Sequence, residues 1–353
     1  MNPPVTGAVV NRPEDVTPEW LSAVLEIPVE SFTTQPVGTG QMADSVRFRL
    51  EPTGTSVVLK FAAADDTSRA TGVALRSYET EVRFYQEIAP TVGIRTPRCH
   101  HAAVDPASGW FTLVMEDLAP AEQGDQLAGC TVDQAALALE ELAKLHAPRW
   151  GDPTLLALDW FHKGDQAGDA TVAIVQGLLP GFCDRYAERL TDDQLETARR
   201  VVASLPHLFS QRAGRVLTVA HGDYRLDNML FGTAEGGPPL AVVDWQTTTT
   251  GPGLTDASYF LGAGLLPPDR RAAEHDLLRM YHDRLLAAGV EGYPWDECWS
   301  DYRRYSFGGL VMAVAASMLV VRTDRGDDMF MAMATRHCEQ IADLGCEEFL
   351  LPA

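Results

Sequence analysis

Three polar residues that can bind a metal ion or move a proton lie at the ends of two short apolar runs. Asp223 and Asn228 fall in the segment HGDYRLDNML, and Asp244 follows in AVVDWQ. The runs flank a Gly/Pro segment and predict a β-hairpin, and a turn centred on Gly236 would set Asn228 opposite Asp244. Such hard oxygen ligands suit Mg²⁺, which completes its shell with phosphate and water. Asp223 precedes Asn228 closely enough to reach the same volume.

The first third of the chain contains a glycine-containing turn and a lone lysine. Gly38 and Gly40 stand in VGTGQMADSV between two predicted strands, where glycine lets the backbone approach a phosphate closely. Lys60 is the single charge in VVLKFAA. If the turn EPTGT is centred on Thr53, Val46 faces Lys60, and the lysine lies beside the glycine turn. A lysine buried there requires an anionic partner.

The expected partner of Lys60 is Glu81, on a predicted helix over residues 75–89. Glu81 lies next to the apolar stripe of this helix and should turn inward. Glu79 forms an i, i+4 pair with Arg83 on the polar face and is the alternative partner.

These elements, in this order, resemble the aminoglycoside phosphotransferase and choline kinase-like superfamily, small-molecule kinases with the bilobal protein-kinase-like fold. HGDYRLDN stands where protein kinases have H-R-D-x-x-x-x-N, and DWQ stands where they have D-F-G. LVMEDL is similar to the hinge that binds adenine through its backbone. LAKLHAPRW and GPGLTDASYF are also similar to this superfamily, especially to its branch with ecdysteroid kinase-like and hydroxyacyl-CoA kinase-like domains.

The resemblance implies an ATP- and Mg²⁺-dependent phosphotransferase. It implies that Asp223 is the catalytic base and that Asn228 and Asp244 are the magnesium ligands. The residues implied in nucleotide binding are Gly38, Gly40, Ser45, Lys60, Glu81, Glu116 and Leu118. The chain departs from the pattern in two respects, because Ala43 replaces a third glycine and no A-P-E segment follows.

The acceptor is expected to be a small molecule with a hydroxyl group. Asp256 follows Asp244 by only twelve positions, which leaves little room for a peptide-binding activation loop. Aromatic and methionine residues in the helical part favour a partly apolar substrate over an aminoglycoside, although the net charge of −21 would attract a polycation. The alternatives are an aminoglycoside O-phosphotransferase and, in another class, a nucleotide-binding pseudokinase that acts as an interaction module. Asp256, His146 and His221 are expected to be structural.

The elements that must position these residues predict an α+β chain with the bilobal kinase-like fold. Residues 1–118 should form a small β-rich nucleotide-binding lobe, and residues 119–353 a larger, mostly helical lobe with the catalytic loop and substrate cleft. The hinge is expected near residues 116–124. Helix starts are predicted at Thr17-Pro18 and at two capping boxes, Thr131-x-x-Gln134 and Thr191-x-x-Gln194.

Composition excludes some classes of function. The chain has 353 residues, 46% of them hydrophobic, and can bury a large core. Its negative charge argues against nucleic acid as a partner, because phosphate backbones require a basic face. The six cysteines show no metal spacing and are expected to be free thiols.

No signal peptide is expected, and the apolar run over residues 307–321 predicts a buried helix instead of a membrane span. We therefore expect a cytoplasmic protein.

Overall fold

The computed structural model describes residues 9–38, 42–161, 164–212 and 214–352. The chain divides into two compact units. The first runs to Glu122 and takes in Leu230–Thr248, and the second consists of Gln123–Met229 and of the chain from Thr249 onward. Residues 230–248, which the prediction assigned to the helical lobe, therefore group with the first unit. Contacts within that unit tie them there, such as the hydrogen bond from the Val242 N–H to the Arg95 carbonyl.

In the described residues, the first unit is built on an antiparallel sheet with the strand order β1-β2-β3-β5-β4. Its strands are β1 (Ser31–Pro36), β2 (Ala43–Glu51), β3 (Ser56–Ala62), β4 (Cys99–Val104) and β5 (Phe111–Glu116). Val46, Phe48 and Leu50 of β2 are buried on one face, as their alternation predicts. They pack with Leu59 and Phe61 of β3 in an apolar cluster that holds the sheet together.

The predicted register of β2 and β3 is wrong by one residue. Lys60 pairs with Ser45, not with Val46. The prediction assumed a turn centred on a single residue, whereas the last strand pair, Arg49 and Ser56, encloses an even number of residues. Because side chains alternate between the faces of a strand, this shift places Ser45 on the same face as Lys60.

Helices of the first unit are α1 (Pro18–Leu25), α2 (Asp66–Ala74) and α3 (Ser77–Arg83), and α3 continues into a π-helical turn at Phe84–Ile88. The Thr17 hydroxyl accepts a hydrogen bond from the Trp20 N–H and caps α1, as predicted. The helix predicted over residues 75–89 is therefore present as α3 and its π-helical extension. Its inner face buries Tyr78, Glu81 and Val82.

The hairpin that follows the predicted catalytic loop differs from its predicted geometry. The remaining strands are β6 (Glu122–Gln123), β7 (Thr218–Ala220), β8 (Met229–Thr233), β9 (Gly236–Val242) and β10 (Thr249–Gly251). The turn between β8 and β9 lies at Ala234 and Glu235, so Gly236 already belongs to β9. The predicted register, which set Asn228 opposite Asp244, is therefore wrong. Asn228 ends the 3-10 turn before β8, and Asp244 follows β9.

The second unit is mostly helical. Its helices are α4 (Val132–His146), α5 (Gly164–Tyr186), α6 (Asp192–Ala203), α7 (Leu205–Ser210), α8 (Leu254–Gly264), α9 (Pro267–Ala287), α10 (Trp295–Arg304), α11 (Phe307–Leu319) and α12 (Asp324–Asp343). The structure confirms both capping boxes, at the starts of α4 and α6. The apolar run that begins at Phe307 forms α11, whose buried residues join the core of this unit.

Two further expectations concern the whole chain. All six cysteines are free, and three of them are buried. Within the described ranges, no helix combines the length and the apolar character needed to span a membrane.

Candidate functional site

Lys60 is the centre of a buried ion cluster in the first unit. Its Nζ lies 2.8 Å from the Glu81 carboxylate and 3.0 Å from Asp244 Oδ1. Burial opposes the charge on Lys60, but the carboxylates of Asp244 and Glu81 outweigh it and raise the pKa of Lys60 above its ordinary value. Lys60 is therefore a fixed positive charge near the C-terminal end of β3.

Glu81, not Glu79, is the partner of Lys60. Glu81 faces the sheet and is 1% exposed, and its burial raises the pKa of its carboxyl group while Lys60 opposes that rise. Glu79 lies on the other side of α3, where it accepts hydrogen bonds from Arg76 and pairs with Arg83. The apolar stripe of the helix thus distinguishes the two glutamates, because only the residue beside it turns inward.

Asp244 is held by its backbone and by its neighbours. Its φ of 66° is in the left-handed region, which a non-glycine residue rarely adopts and which often marks a functional position. Besides Lys60, its carboxylate accepts a hydrogen bond of 3.2 Å from the Gln246 side chain. The next residue, Trp245, stacks on Phe84 with ring centroids 3.9 Å apart. The DWQ segment is therefore anchored to the helix that contains Glu81.

The glycine turn is only partly described. Gly38 has a φ of 77°, and a Cβ atom there would meet no atom of the described residues within 4 Å. Gly40 lies outside the described residues. Ser45 lies directly across from Lys60, at the start of β2.

The predicted hinge residues lie at the last residue of β5 and directly after it. The Glu116 carboxylate accepts hydrogen bonds from Arg95, at 2.8 and 2.9 Å, and from the Arg98 N–H. Leu118 is buried, and its carbonyl accepts a hydrogen bond from the Ala121 N–H. The sequence did not single out Asp117, which accepts hydrogen bonds from Arg47, Ser56 and the Ala119 N–H and so fixes the segment between them.

Asp223 lies in the second unit with three groups donating to its carboxylate. The Tyr259 hydroxyl donates at 2.7 Å, the Arg225 Nε at 3.0 and 3.1 Å, and the Asn228 side-chain amide at 3.0 Å. Burial would raise the pKa of Asp223, but the charge of Arg225 and the Tyr259 hydrogen bond outweigh it and lower the pKa below its ordinary value. Asp223 is therefore ionised at neutral pH.

Asp256 holds the backbone of the same loop. Its carboxylate accepts hydrogen bonds from the His221 N–H at 2.7 Å and from the Gly222 N–H at 3.0 Å, and it contacts His146 Nε2 at 3.3 Å. The His221 Nδ1 accepts a hydrogen bond from the Asp223 N–H. These contacts agree with the structural roles that the sequence analysis expected for Asp256, His146 and His221.

Three residues around Asp223 escaped the sequence reasoning. Arg225 bridges Asp223 and Asp227, which in turn accepts a hydrogen bond from the Gln126 N–H. Tyr259 comes one helical turn after Asp256 on α8, in the segment GPGLTDASYF. Residues spaced i, i+3 share a helix face, so this spacing could have indicated Tyr259 as a neighbour of the loop that Asp256 braces.

The second unit also shows where the aromatic residues of the helical part lie. Tyr302, Tyr305 and Phe307 are buried, whereas Trp295 and Trp299 are half-exposed and stack on each other. Most of these residues are therefore core, and their spacing alone does not define a substrate cleft.

Comparison with known proteins relates the chain to phosphotransferases. The model of the phosphotransferase enzyme family matches residues 33–297. Two curated relatives match over shorter segments. The chain is 29% identical over 129 residues to acyl-CoA dehydrogenase family member 11 of Gallus gallus, and the match spans 35% of this chain and 14% of that protein. It is 32% identical over 123 residues to family member 10 of Mus musculus, with 31% and 11% covered.

Solved structures share the fold at low sequence identity. The ethanolamine kinase of Plasmodium vivax superposes with a TM-score of 0.51 at 9% identity, covering 87% of this chain and 82% of that one. The GDP and kanamycin complex of APH(2")-IIia gives 0.55 at 12% identity, with 93% and 99% covered. Spectinomycin phosphotransferase in complex with ADP and spectinomycin gives 0.51 at 13% identity, with 94% and 98% covered.

These similarities confirm the predicted fold class, an α+β kinase-like chain with a sheet in one unit and helices in the other. They also confirm the resemblance on which that prediction rested. Because the family model covers most of its length, the chain belongs to the phosphotransferase enzyme family.

Proposed function

We propose that this protein transfers a phosphoryl group from ATP to a hydroxyl group of a small molecule. The ion cluster of Lys60, Glu81 and Asp244 is the observation that carries this proposal. Burying charged groups is expensive, and a lysine held between two carboxylates rarely gains stability over apolar residues of similar volume. Buried charged groups with shifted pKa values are enriched at functional sites, so this cluster marks a candidate site for a ligand. In a phosphotransferase family member, that ligand is the phosphate chain of a nucleotide.

Residues of the first unit are proposed to bind the nucleotide. Lys60 would contact the α and β phosphates while Glu81 fixes the position of its Nζ. The backbone of the turn with Gly38 and Gly40 would approach the phosphates, and Ser45 would lie beside them. The backbone of the segment from Glu116 to Leu118 would hold the adenine ring.

Asn228 and Asp244 are proposed as the protein ligands of Mg²⁺. The amide nitrogen of Asn228 donates to the Asp223 carbonyl and carboxylate, which leaves its Oδ1 as the atom for a cation. Among the residues that the structure describes, no group of three or more His, Cys, Asp or Glu side chains could hold a metal. A donor set of one amide and one carboxylate still fits Mg²⁺, which is commonly bound by few protein ligands together with phosphate and water. When bound, the ion neutralises charge on the transferring group.

Asp223 is proposed to orient the acceptor hydroxyl and take its proton. Its donors keep it ionised, so it is in the correct form to accept a proton at neutral pH. The lowered pKa also makes it a weak base, which suits proton transfer late in the reaction, when the oxygen has become acidic. The pseudokinase alternative is less favoured, because Asp223, Asn228 and Asp244 all carry the side chains that the family's chemistry requires.

The acceptor is proposed to be a partly apolar hydroxylated compound, with an aminoglycoside as the alternative. Many of the apolar residues that suggested this preference, among them Trp160, Phe182 and Tyr302, are fully buried core residues. The support that remains is the similarity to acyl-CoA dehydrogenase family members, whose names point to acyl compounds. Hydroxyacyl compounds are therefore the first class to test.

A coupled ADP-release screen with Mg·ATP tests the proposal, with hydroxyacyl, sterol and sugar alcohols set against kanamycin-type aminoglycosides. With the substrate that this screen identifies, Asp223→Asn should lower kcat by about 10²–10⁴-fold. Its nucleotide binding, measured by titration calorimetry, should be retained. Asp244→Ala should remove Mg²⁺-dependent nucleotide binding. Asp276→Asn, at a fully exposed carboxylate on α9, is the matched control and should change neither quantity.

Three outcomes separate the alternatives. Nucleotide binding without turnover of any compound would favour the pseudokinase. Aminoglycoside turnover with kcat/KM of about 10⁴ M⁻¹s⁻¹ or more would reverse the substrate preference. Full turnover by Asp223→Asn would remove Asp223 from the proposed role.

A further inference from the structure

A cavity of about 220 Å³, partly open to solvent, lies in the second unit between α5, α7 and α11. Its lining is mostly apolar and includes Val175, Leu205, Phe209, Val311, Met312 and Ala315. A single water molecule needs about 10–15 Å³ of such space and two to four polar partners. The cavity therefore has room for a small organic molecule, and its walls offer little to hold ordered water.

Two buried donors at this cavity have no acceptor within the described part of the chain. Tyr305 lines it and is 5% exposed, yet its hydroxyl makes no hydrogen bond with any described residue. Arg304, which also lines it, has a buried Nε without a hydrogen-bond partner among the same residues, since the Asp301 carboxylate lies 3.9 Å away. Buried polar groups in native proteins are nearly always paired, so an unpaired hydroxyl beside an empty volume points to a ligand.

The cavity is also lined by an arginine, Arg212, that has no carboxylate partner among the described residues. Arg212 is exposed, and its guanidinium lies 4.5 Å from the centroid of the Phe209 ring. The nearby Asp301 and Glu297 are both bound by Arg215, at 3.2 and 3.5 Å. The local charge available to a ligand is therefore positive.

This cavity opens on a different side of α11 from the one that leads to the catalytic loop. Gly309 of α11 packs against His337, whose ring stacks on Tyr259, the donor to Asp223. The cavity is lined from α11 by Gly308 and by the residues one and two turns further along. At 100° per residue, these lie about 60° to 160° around the helix from Gly309.

We propose that this cavity is a second ligand site, separate from the phosphotransfer site, for a small amphiphile with an anionic head group such as a short-chain carboxylate. The apolar body lies against α5, α7 and α11. The carboxylate accepts a hydrogen bond from the Tyr305 hydroxyl and pairs with the Arg212 guanidinium, whose planar set of N–H donors matches a carboxylate group. The site is built from residues that the proposed phosphotransfer does not use.

Titration calorimetry of the full chain with octanoate tests the proposal. Octanoate should bind once per chain, octanol at least tenfold more weakly, and octylammonium not measurably. Tyr305→Phe removes only the unpaired hydroxyl and should weaken octanoate binding by about five- to tenfold. Arg212→Leu should weaken it by about tenfold or more. Arg199→Leu, at an exposed arginine of α6, is the control for unspecific attraction and should leave the affinity unchanged.

Ala315→Leu offers an independent test, because it adds volume at the cavity wall and should abolish octanoate binding. Circular dichroism and the melting temperature establish that each variant is folded. The proposal is overturned if the wild type shows no saturable octanoate binding at millimolar concentration, or if Tyr305→Phe and Arg212→Leu bind as the wild type does. Equal binding of octylammonium also overturns it. None of these readouts requires turnover, so failure of the proposed phosphotransfer would leave them interpretable.

Discussion

Removing one hydroxyl from the second unit should show how strongly the Asp223 charge is held. Tyr259→Phe deletes the donor that lies 2.7 Å from Asp223 Oδ1 and leaves the ring in place. Tyr259 is 6% exposed, and the Asp223 side chain is 19% exposed, so water replaces the lost donor poorly. The pKa of Asp223 should therefore rise in the variant toward its ordinary value.

The magnitude follows from the two protonation states of Asp223. A hydrogen bond to a charged group contributes about 1.5–3 kcal/mol and one between neutral groups about 0.5–1.5 kcal/mol. Because the folded pKa of Asp223 is depressed, its contribution to stability is present above the unfolded pKa of about 3.9 and is lost as the pH falls through the folded pKa. The free energy of unfolding of the variant should thus be lower than that of the wild type by about 1.5–3 kcal/mol at pH 7. This difference should become smaller as the pH falls into the acid range.

Urea unfolding at a series of pH values from neutral to acid measures this difference in unfolding free energy. Tyr186→Phe is the matched control, because the buried Tyr186 also donates at 2.7 Å to an aspartate, Asp327, whose pKa is lowered as well. Both variants should lose a similar free energy of unfolding. Only Tyr259→Phe should shift the acid side of the pH dependence of turnover to higher pH. A Tyr259→Phe protein as stable as the wild type at pH 7, beside a destabilised Tyr186→Phe protein, would refute the reasoning.

Further predictions concern charge and packing in each unit, all measured by urea unfolding. Lys60→Met should cost about 3–5 kcal/mol, because Glu81 is left buried without its cation; an unchanged midpoint would contradict this. Gly309→Ala should cost about 1–3 kcal/mol or more by driving a methyl group into the His337 ring, whereas Gly308→Ala, with open space around it, should be neutral or slightly stabilising. Burial lowers the pKa of His337 to about 4 from 6.5. The unfolded state therefore binds more protons than the folded state between about pH 4 and pH 6.5. The free energy of unfolding should rise by about 3 kcal/mol as the pH increases across this range. His337→Gln should flatten the rise, and an unchanged slope would show that His337 does not cause it.

The sequence predicted those parts of the fold that depend on local pattern. Alternation in β2 and the capping boxes at Thr131 and Thr191 fixed where strands and helices begin, because each pattern acts over a few residues. Registers were predicted poorly. The β2–β3 and β8–β9 turns each differ from the assumed centre, since a sequence rich in turn formers does not specify how many residues the turn contains.

The candidate site was predictable where a motif or a burial pattern marked the residue. Glu81 followed from the apolar stripe of α3, and the structure places it against Lys60. The donors Arg225 and Tyr259 were not foreseen, because their importance comes from the direction of their side chains toward Asp223. The unpaired Tyr305 hydroxyl is likewise a property of packing, and no spacing in the sequence indicates it.

Each unit holds one buried charged side chain in place with groups of opposite charge or polarity. In the first, two carboxylates hold one buried cation, Lys60, through direct ion pairs. In the second, a guanidinium, a hydroxyl and an amide hold one carboxylate, Asp223. Each charged group is thus oriented by contacts inside its own unit before any ligand binds. Groups fixed in this way need little reorganisation when a reaction develops charge, and such preorganisation is where electrostatic catalysis gains most of its free energy.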